Sequence, residues 1–268
     1  MKKILFILIV IFITVGCNKK EIIKEEENEY TDRIPVIAFH RIVSDEDKNN
    51  VYPNNKWVGS EKVFEQMMKY IHDNGYETIS TEEFYEWYIK KREYSKKTVL
   101  ITLDDGFYED YYIVYPIIKK YNLKATSFVV GSRIKNATED YNPKKTSFMG
   151  LDVINEIRND YPNYEIQSHT YNMHYYTDDK KHRIKSMSYD ELVSDVKSNE
   201  QFNFTTLAYP YGDYNDDIKK ILEENNYLVA FRFSPPDYAY RTSDRYAIPR
   251  IKITGESSLD DLKKWLEY

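Results

Sequence analysis

At 268 residues the chain is long enough for one large domain or two small ones, and no internal repeat divides it. Its formal net charge of −6 does not come from the N-terminus: residues 1–33 hold six acids and six bases, which leaves 38 acids against 32 bases beyond them. A globally acidic domain argues against nucleic acid as a partner.

In chain order, Lys2 and Lys3 precede an apolar run over 4–15. The run is too short to cross roughly 30 Å of hydrocarbon as a helix but suits a signal-peptide core, so export is expected. The only cysteine, Cys17, directly follows Thr14-Val15-Gly16. This resembles a bacterial lipoprotein lipobox, with Thr14 where leucine is usual; an uncleaved anchor is the alternative. Acylation of Cys17 would supply more than the two signals that stable anchoring needs and would hold the protein on the outer face of the bacterial cell membrane. With no second cysteine, no disulfide can form within the exported part. Residues 18–33 carry too little apolar surface to offset ordering entropy and read as a charged tether, which places the folded domain at 34–268.

Beyond the tether, short apolar runs alternate with longer segments of helical period, the pattern of an α/β domain with mostly parallel strands. Strands are expected at 34–39, 98–103, 125–130, 165–167, 206–209, 228–231 and 247–253, and seven of them suggest a barrel-like closure. Val63, Phe64, Met67, Met68 and Ile71 share one helical face, closed by Gly75 in the position of a left-handed cap. Ser188 followed by Glu191 is a capping-box signature, and 216–225 and 258–266 read as later helices. The 27 tyrosines accompany abundant Lys, Asn and Ile, as AT-rich genomes produce; sugar-stacking platforms are the other reading.

The polar residues of interest share one address on this map. His40, Asp104 and Asp105, His169, and the Tyr209-Pro210-Tyr211 run all follow the C-terminal ends of strands, the face that carries active sites in barrels of parallel strands. An Asp-Asp-Gly alone most often makes an ordinary turn. His169 and His174 would be turned about 140° apart on a helix, so they are not a helical zinc pair, but in a loop both can converge on one ion. One carboxylate and two imidazoles make a three-ligand site with open positions, the arrangement of catalytic zinc; iron oxygenases share that donor set. The second aspartate speaks for hydrolysis, because a hydrolase can use it as a general base. His72 reads as a surface group on its amphipathic helix and His182 as part of a solvated loop.

The ordered set Ile34-Pro-Val-Ile-Ala-Phe-His40, Thr102-Leu-Asp-Asp-Gly106, Lys124-Ala-Thr-Ser-Phe-Val-Val130, Ser168-His-Thr-Tyr-Asn-Met-His174 and Ala208-Tyr-Pro-Tyr-Gly212 resembles the polysaccharide deacetylases of the NodB-homology type, carbohydrate esterase family 4. The resemblance covers residue 34 to the C-terminus. It implies a distorted, incomplete (β/α) barrel of about seven strands and one divalent metal ion, zinc, held by Asp105, His169 and His174. It further implies Asp104 as general base, and the backbone N–H of Tyr211 as a donor to the oxyanion. The implied substrate is an N-acetylated polysaccharide, and the opening Phe-His and the Ala-Tyr-Pro-Tyr-Gly run look closest to deacetylases of poly-N-acetylglucosamine. Deacetylation of peptidoglycan, or a sugar-binding lipoprotein that keeps the fold without turnover, are the alternatives.

Two departures from the family pattern bear on mechanism. Many members have Arg where this chain has Ala208, and by strand-end position Arg250 and Arg41 are the candidates to replace it. Many also carry a late histidine that protonates the leaving amine, whereas none follows His182 here. His40 is the first candidate for that acid and Asp104, returning its own proton, the second.

Overall fold

The computed structural model describes residues 30–139 and 141–268. The expected signal peptide, the lipid attachment at Cys17 and most of the tether lie outside them. Among the described residues, no helix is long and apolar enough to cross a membrane.

Seven parallel strands form the centre: β1 (Val36–Phe39), β2 (Thr98–Asp105), β3 (Ala125–Val129), β4 (Tyr164–Ser168), β5 (Thr206–Ala208), β6 (Val229–Phe231) and β7 (Ile251–Lys252). They lie in the order β6-β5-β4-β3-β2-β1-β7. All eight residues of β2 are buried, as a central parallel strand covered on both faces requires. The sheet curls into an incompletely closed barrel. Its two edges meet at one segment, because Ile248 bridges Phe231 of β6 while Ile251 and Lys252 pair with Ile37 and Ala38 of β1. The single strand expected over 247–253 is therefore two short pieces, interrupted at Pro249, which has no N–H to give to a ladder.

Two other boundaries differ from the sequence reading. Arg33–Ile34 does not continue into β1 but pairs antiparallel with Ala239–Tyr240. The folded part also begins before residue 34, inside the span expected to be a tether: Tyr30 bridges Ser95, and Thr31 is buried and receives the Trp87 indole N–H on its carbonyl. The segment has a fold to join because Trp87 and Tyr94 offer it a buried apolar wall that local composition does not show.

Helices cover the outside. Glu61–Asp73 buries Phe64, Met67, Met68 and Ile71, each worth about 1.5–3 kcal/mol, and Gly75 follows in the left-handed region. Tyr189–Ser198 begins at the capping box of Ser188 and Glu191, and Asp216–Glu224 and Leu259–Leu266 are close to expectation. Helices at Thr81–Tyr88, Tyr115–Lys120 and Leu151–Asp160 were not anticipated. The first carries its own capping box, Ser80 with Glu83.

Candidate active site

The site is built where the strands end. β2 delivers two consecutive carboxylates into the barrel mouth, and the chain must turn sharply at once. Asp105 takes φ 84° and Gly106 φ 71°; a Cβ on Gly106 would stand 2.6 Å from Val129 Cγ1 and 3.1 Å from Val129 Cα, so only glycine fits. β4 hands on to His169, whose N–H is tied to Val129 O at 2.8 Å, and the loop then returns His174 to the same point.

Asp105, His169 and His174 place one donor atom each within 4.8 Å of one another. Asp105 Oδ1 lies 2.8 Å from His174 Nε2 and 3.7 Å from His169 Nε2, yet it is buried without a hydrogen bond of good geometry. Three electron-pair donors gathered this closely, one of them a buried carboxylate oxygen, fit a shared cation. The outer contacts agree: His169 Nδ1 lies 2.8 Å from the Ala208 carbonyl, a contact that makes Nδ1 the protonated nitrogen and leaves Nε2 as a lone pair for a metal. Arg133 backs His174 by donating to its carbonyl at 3.2 Å. Burial opposes charge on Asp105, but the imidazoles of His174 and His169 hold its carboxyl below the usual range. Burial pushes His169 down to about 4, so its neutral, ligating form prevails.

Asp104 is gripped by Arg250. The guanidinium Nη1 and Nη2 lie 2.7 Å from Oδ1 and Oδ2, a bidentate pair in which Arg250 is fully buried and Asp104 nearly so. Burial alone would neutralise Asp104, but Arg250 keeps its carboxyl below the ordinary value. Arg250 comes from the segment that joins the sheet edges. Arg41, the other candidate, points elsewhere and makes a buried pair with Glu109, Nη2 to Oε1 at 2.6 Å.

His40 follows β1 and enters the mouth between the rings of Trp57 and Phe233, with centroids 5.0 and 5.1 Å away. Its Nδ1 is buried and unpartnered, and burial holds its pKa below the usual imidazole value. Tyr211 closes the far side in the left-handed region (φ 60°, ψ 1°). With Asp105 and Thr170 (φ 65°), three non-glycine residues around the site hold left-handed backbone, each costing about 1–3 kcal/mol that the surrounding fold must offset.

His182 is the clearest correction to the sequence reading. It is no solvated loop residue: its ring stacks on Tyr211 at 4.0 Å and 11°, its Nδ1 meets the Asp213 carboxylate, and it lines the pocket with Tyr176. Lys185 Nζ holds Asp213 from behind at 2.9 Å. Sequence reasoning also missed Asp195. Its two oxygens accept the N–H groups of Tyr171 and Asn172 at 2.8 and 2.7 Å, which fixes the loop between the two histidines. Neither residue has a local signature, since both act on partners more than twenty residues away. His72 is exposed beside Asp73, as expected.

The comparisons with known proteins agree with this geometry. The polysaccharide deacetylase family profile matches residues 91–230. The chain is 28% identical over 217 residues to the poly-beta-1,6-N-acetyl-D-glucosamine N-deacetylase of Staphylococcus aureus (strain MRSA252), covering 77% of this chain and 71% of that one. Among solved structures it is similar to the Streptococcus pyogenes deacetylase PplD in complex with acetate, at TM-score 0.72 and 26% identity, over 88% of this chain and 99% of that one. IcaB from Ammonifex degensii shares the fold at TM-score 0.71 and 19% identity, over 89% and 98% of the two chains. The chain belongs to the polysaccharide deacetylase family, hydrolases that act on amide bonds of N-acetylated sugars, and its curled seven-stranded sheet is the fold of that family.

Proposed function

We propose that the protein is a metal-dependent N-deacetylase that removes acetyl groups from N-acetylglucosamine residues of an extracellular polysaccharide. The observation that carries this reading is the Asp104 carboxylate, locked by Arg250, beside three converging donor groups at the mouth of a parallel barrel. Asp105, His169 and His174 are the residues to hold one divalent ion, zinc by its donor set, which when bound polarises the acetyl carbonyl and lowers the pKa of water towards about 7.

The remaining work falls to the chain itself. Asp104 takes a proton from the attacking water, and Arg250 keeps that carboxylate ionised and aimed. The strained turn at Tyr211 offers its backbone N–H to the oxyanion, a placement often worth about 3 kcal/mol. His40 delivers a proton to the leaving amine. Burial favours its neutral form, so the proton it delivers is the one that Asp104 has taken from the attacking water, relayed to the imidazole before the amine departs.

The named substrate of the staphylococcal relative supports poly-N-acetylglucosamine over peptidoglycan. A non-catalytic sugar-binding role would draw on the missing family arginine, and Arg250 on Asp104 weighs against it. Export and anchoring through Cys17 belong to the proposal on the strength of residues 1–17 alone. The test joins metal analysis of the purified protein to acetate release from N-acetylglucosamine oligomers. Acetate released by a zinc-loaded protein, with loss of both metal and turnover in His174→Ala, is the expected result; full metal occupancy in that variant at micromolar free zinc refutes the ligand set.

A further inference from the structure

Tyrosines gather on one outer face of the barrel, beside its mouth. After Gly106 the chain enters a π-helical turn, Asp110–Val114, that runs directly into the helix Tyr115–Lys120. Such turns are rare and recur at functional sites. Two buried acids pin this one: Glu109 pairs with Arg41, and Asp110 accepts the Ser127 hydroxyl at 2.6 Å. On its outer side Tyr108 lies beside Tyr111 and Tyr112, with ring centroids 5.9 and 6.3 Å away and planes inclined by 24° and 25°.

Helical spacing alone accounts for those contacts. It does not account for Tyr141, which comes from a separate segment, stacks on Tyr112 at 5.4 Å and 25°, and stands 6.4 Å from Tyr108. The ring planes are fixed from behind: Tyr141 OH donates to Asp47 at 2.6 Å and Tyr111 OH to Glu156 at 2.8 Å. Tyr112 projects furthest, 57% exposed, while Tyr108, Tyr111 and Tyr141 are half-buried around it. None of the four lines the catalytic pocket, yet the row is continuous with it. Phe107, which does line the pocket, stacks on Phe148 at 5.6 Å and 20°, and the Tyr108 N–H donates to the Ser147 carbonyl at 3.0 Å. A chain leaving the mouth across Phe107 passes over Tyr108 onto Tyr112.

We infer that Tyr112, with Tyr108 and Tyr141, forms a second glycan-binding platform outside the catalytic pocket, which holds an uncharged stretch of the same polysaccharide chain. The inference rests on the deacetylase reading, because a polymeric substrate extends beyond the sugar whose acetyl group is removed. Tyrosine rings offer an apolar face to sugar rings, and the carboxylates that fix them, Asp47 and Glu156, disfavour an anionic chain. A chain already held in the pocket meets the platform at high effective concentration. The platform therefore tightens binding of long chains and does nothing for short ones.

The experiment follows the zinc-loaded enzyme on an N-acetylglucosamine trimer and on soluble poly-N-acetylglucosamine, for the parent and for Tyr112→Ala, Tyr112→Phe and Tyr189→Ala. The expected result is a KM for the polymer about three- to tenfold higher in Tyr112→Ala, with kcat on both substrates and KM for the trimer as in the parent. Tyr112→Phe keeps the ring and the parental KM for the polymer. So does Tyr189→Ala, which removes an exposed tyrosine from the helix Tyr189–Ser198. An unchanged KM for the polymer in Tyr112→Ala overturns the inference. An equal rise for trimer and polymer overturns it too, because Tyr112 would then merely support the pocket. If neither substrate releases acetate, the deacetylase reading fails. Native electrophoresis in a gel containing the polymer then decides the platform alone: weaker retardation of Tyr112→Ala than of the parent supports it, and equal retardation refutes it.

Discussion

Replacing Arg250 by methionine probes the contact on which the proposed base depends. The guanidinium is fully buried and spends its donors on Asp104 twice at 2.7 Å, on Thr102 Oγ1 at 3.2 Å and on the Arg232 carbonyl at 3.3 Å. Methionine keeps most of the volume, so the loss is electrostatic rather than a cavity. A buried ion pair is a weak source of net stability, but removing one partner leaves a carboxylate in a dry site and costs about 3–5 kcal/mol. In a domain of this size each kcal/mol lowers Tm by roughly 2–4 °C, so the variant should melt roughly 6–20 °C below the parent. Calorimetry on metal-free protein at neutral pH reads this directly. The control is the cycle with Asp104→Asn: once the carboxylate is gone, Arg250→Met should cost far less, giving a coupling of about 2 kcal/mol or more. A melting point within about 2 °C of the parent, or a coupling inside the roughly 0.5 kcal/mol expected of independent sites, refutes the reasoning.

Four further outcomes are expected. Asp104→Asn should retain zinc by calorimetry while acetate release falls about 10²-fold or more; unchanged turnover would move the base to another group. His40→Ala should lower kcat with metal occupancy intact, whereas His182→Ala, which strips a ring from the pocket rim, should act mainly on KM; a wild-type rate in His40→Ala leaves Asp104 as both base and acid. Burial lifts the Asp195 carboxyl to about 6 although two N–H groups oppose the shift. A raised carboxyl binds its proton more tightly in the folded than in the unfolded state, so its contribution is greatest below about pH 4 and is lost as pH rises towards 6, about 3 kcal/mol in all. The stability difference between parent and Asp195→Asn should follow that window in denaturant titrations, and a difference independent of pH would contradict it. Finally, the parent should partition into detergent and Cys17→Ser into the soluble fraction; a parent recovered from the medium without lipid excludes acylation.

The strand ends were legible because each chemical residue follows an apolar run that a parallel sheet buries on both faces, and the period of such runs needs no tertiary knowledge. The pairing of Asp105 with His169 and His174 was legible for the same reason, since Asp105 ends β2 and both histidines follow β4, the next strand but one in the sheet. Arg250 could be named as a candidate but not separated from Arg41, because the choice turns on Glu109. That residue occupies Arg41 from a turn after β2 and has no pattern to announce it. His182 was misread on composition: the charged residues around it do face solvent, but the fold of the 170–182 loop turns its ring onto Tyr211. Asp195 was invisible because a buried acid on the inner face of an amphipathic helix looks like a defect until the loop it holds is seen.

The segment that joins the edges of the sheet sets an order of events during synthesis. Asp104 belongs to the second strand of the barrel, and its guanidinium partner arrives 146 residues later, beyond the sixth strand. A nascent chain that already contains all three donor groups and the carboxylate still has no counter-charge for that carboxylate and no closed barrel around it. The enzyme is therefore assembled last at its own centre. A cut or an early stop before Arg250 should silence it more completely than the distance of that arginine in sequence from the aspartates suggests.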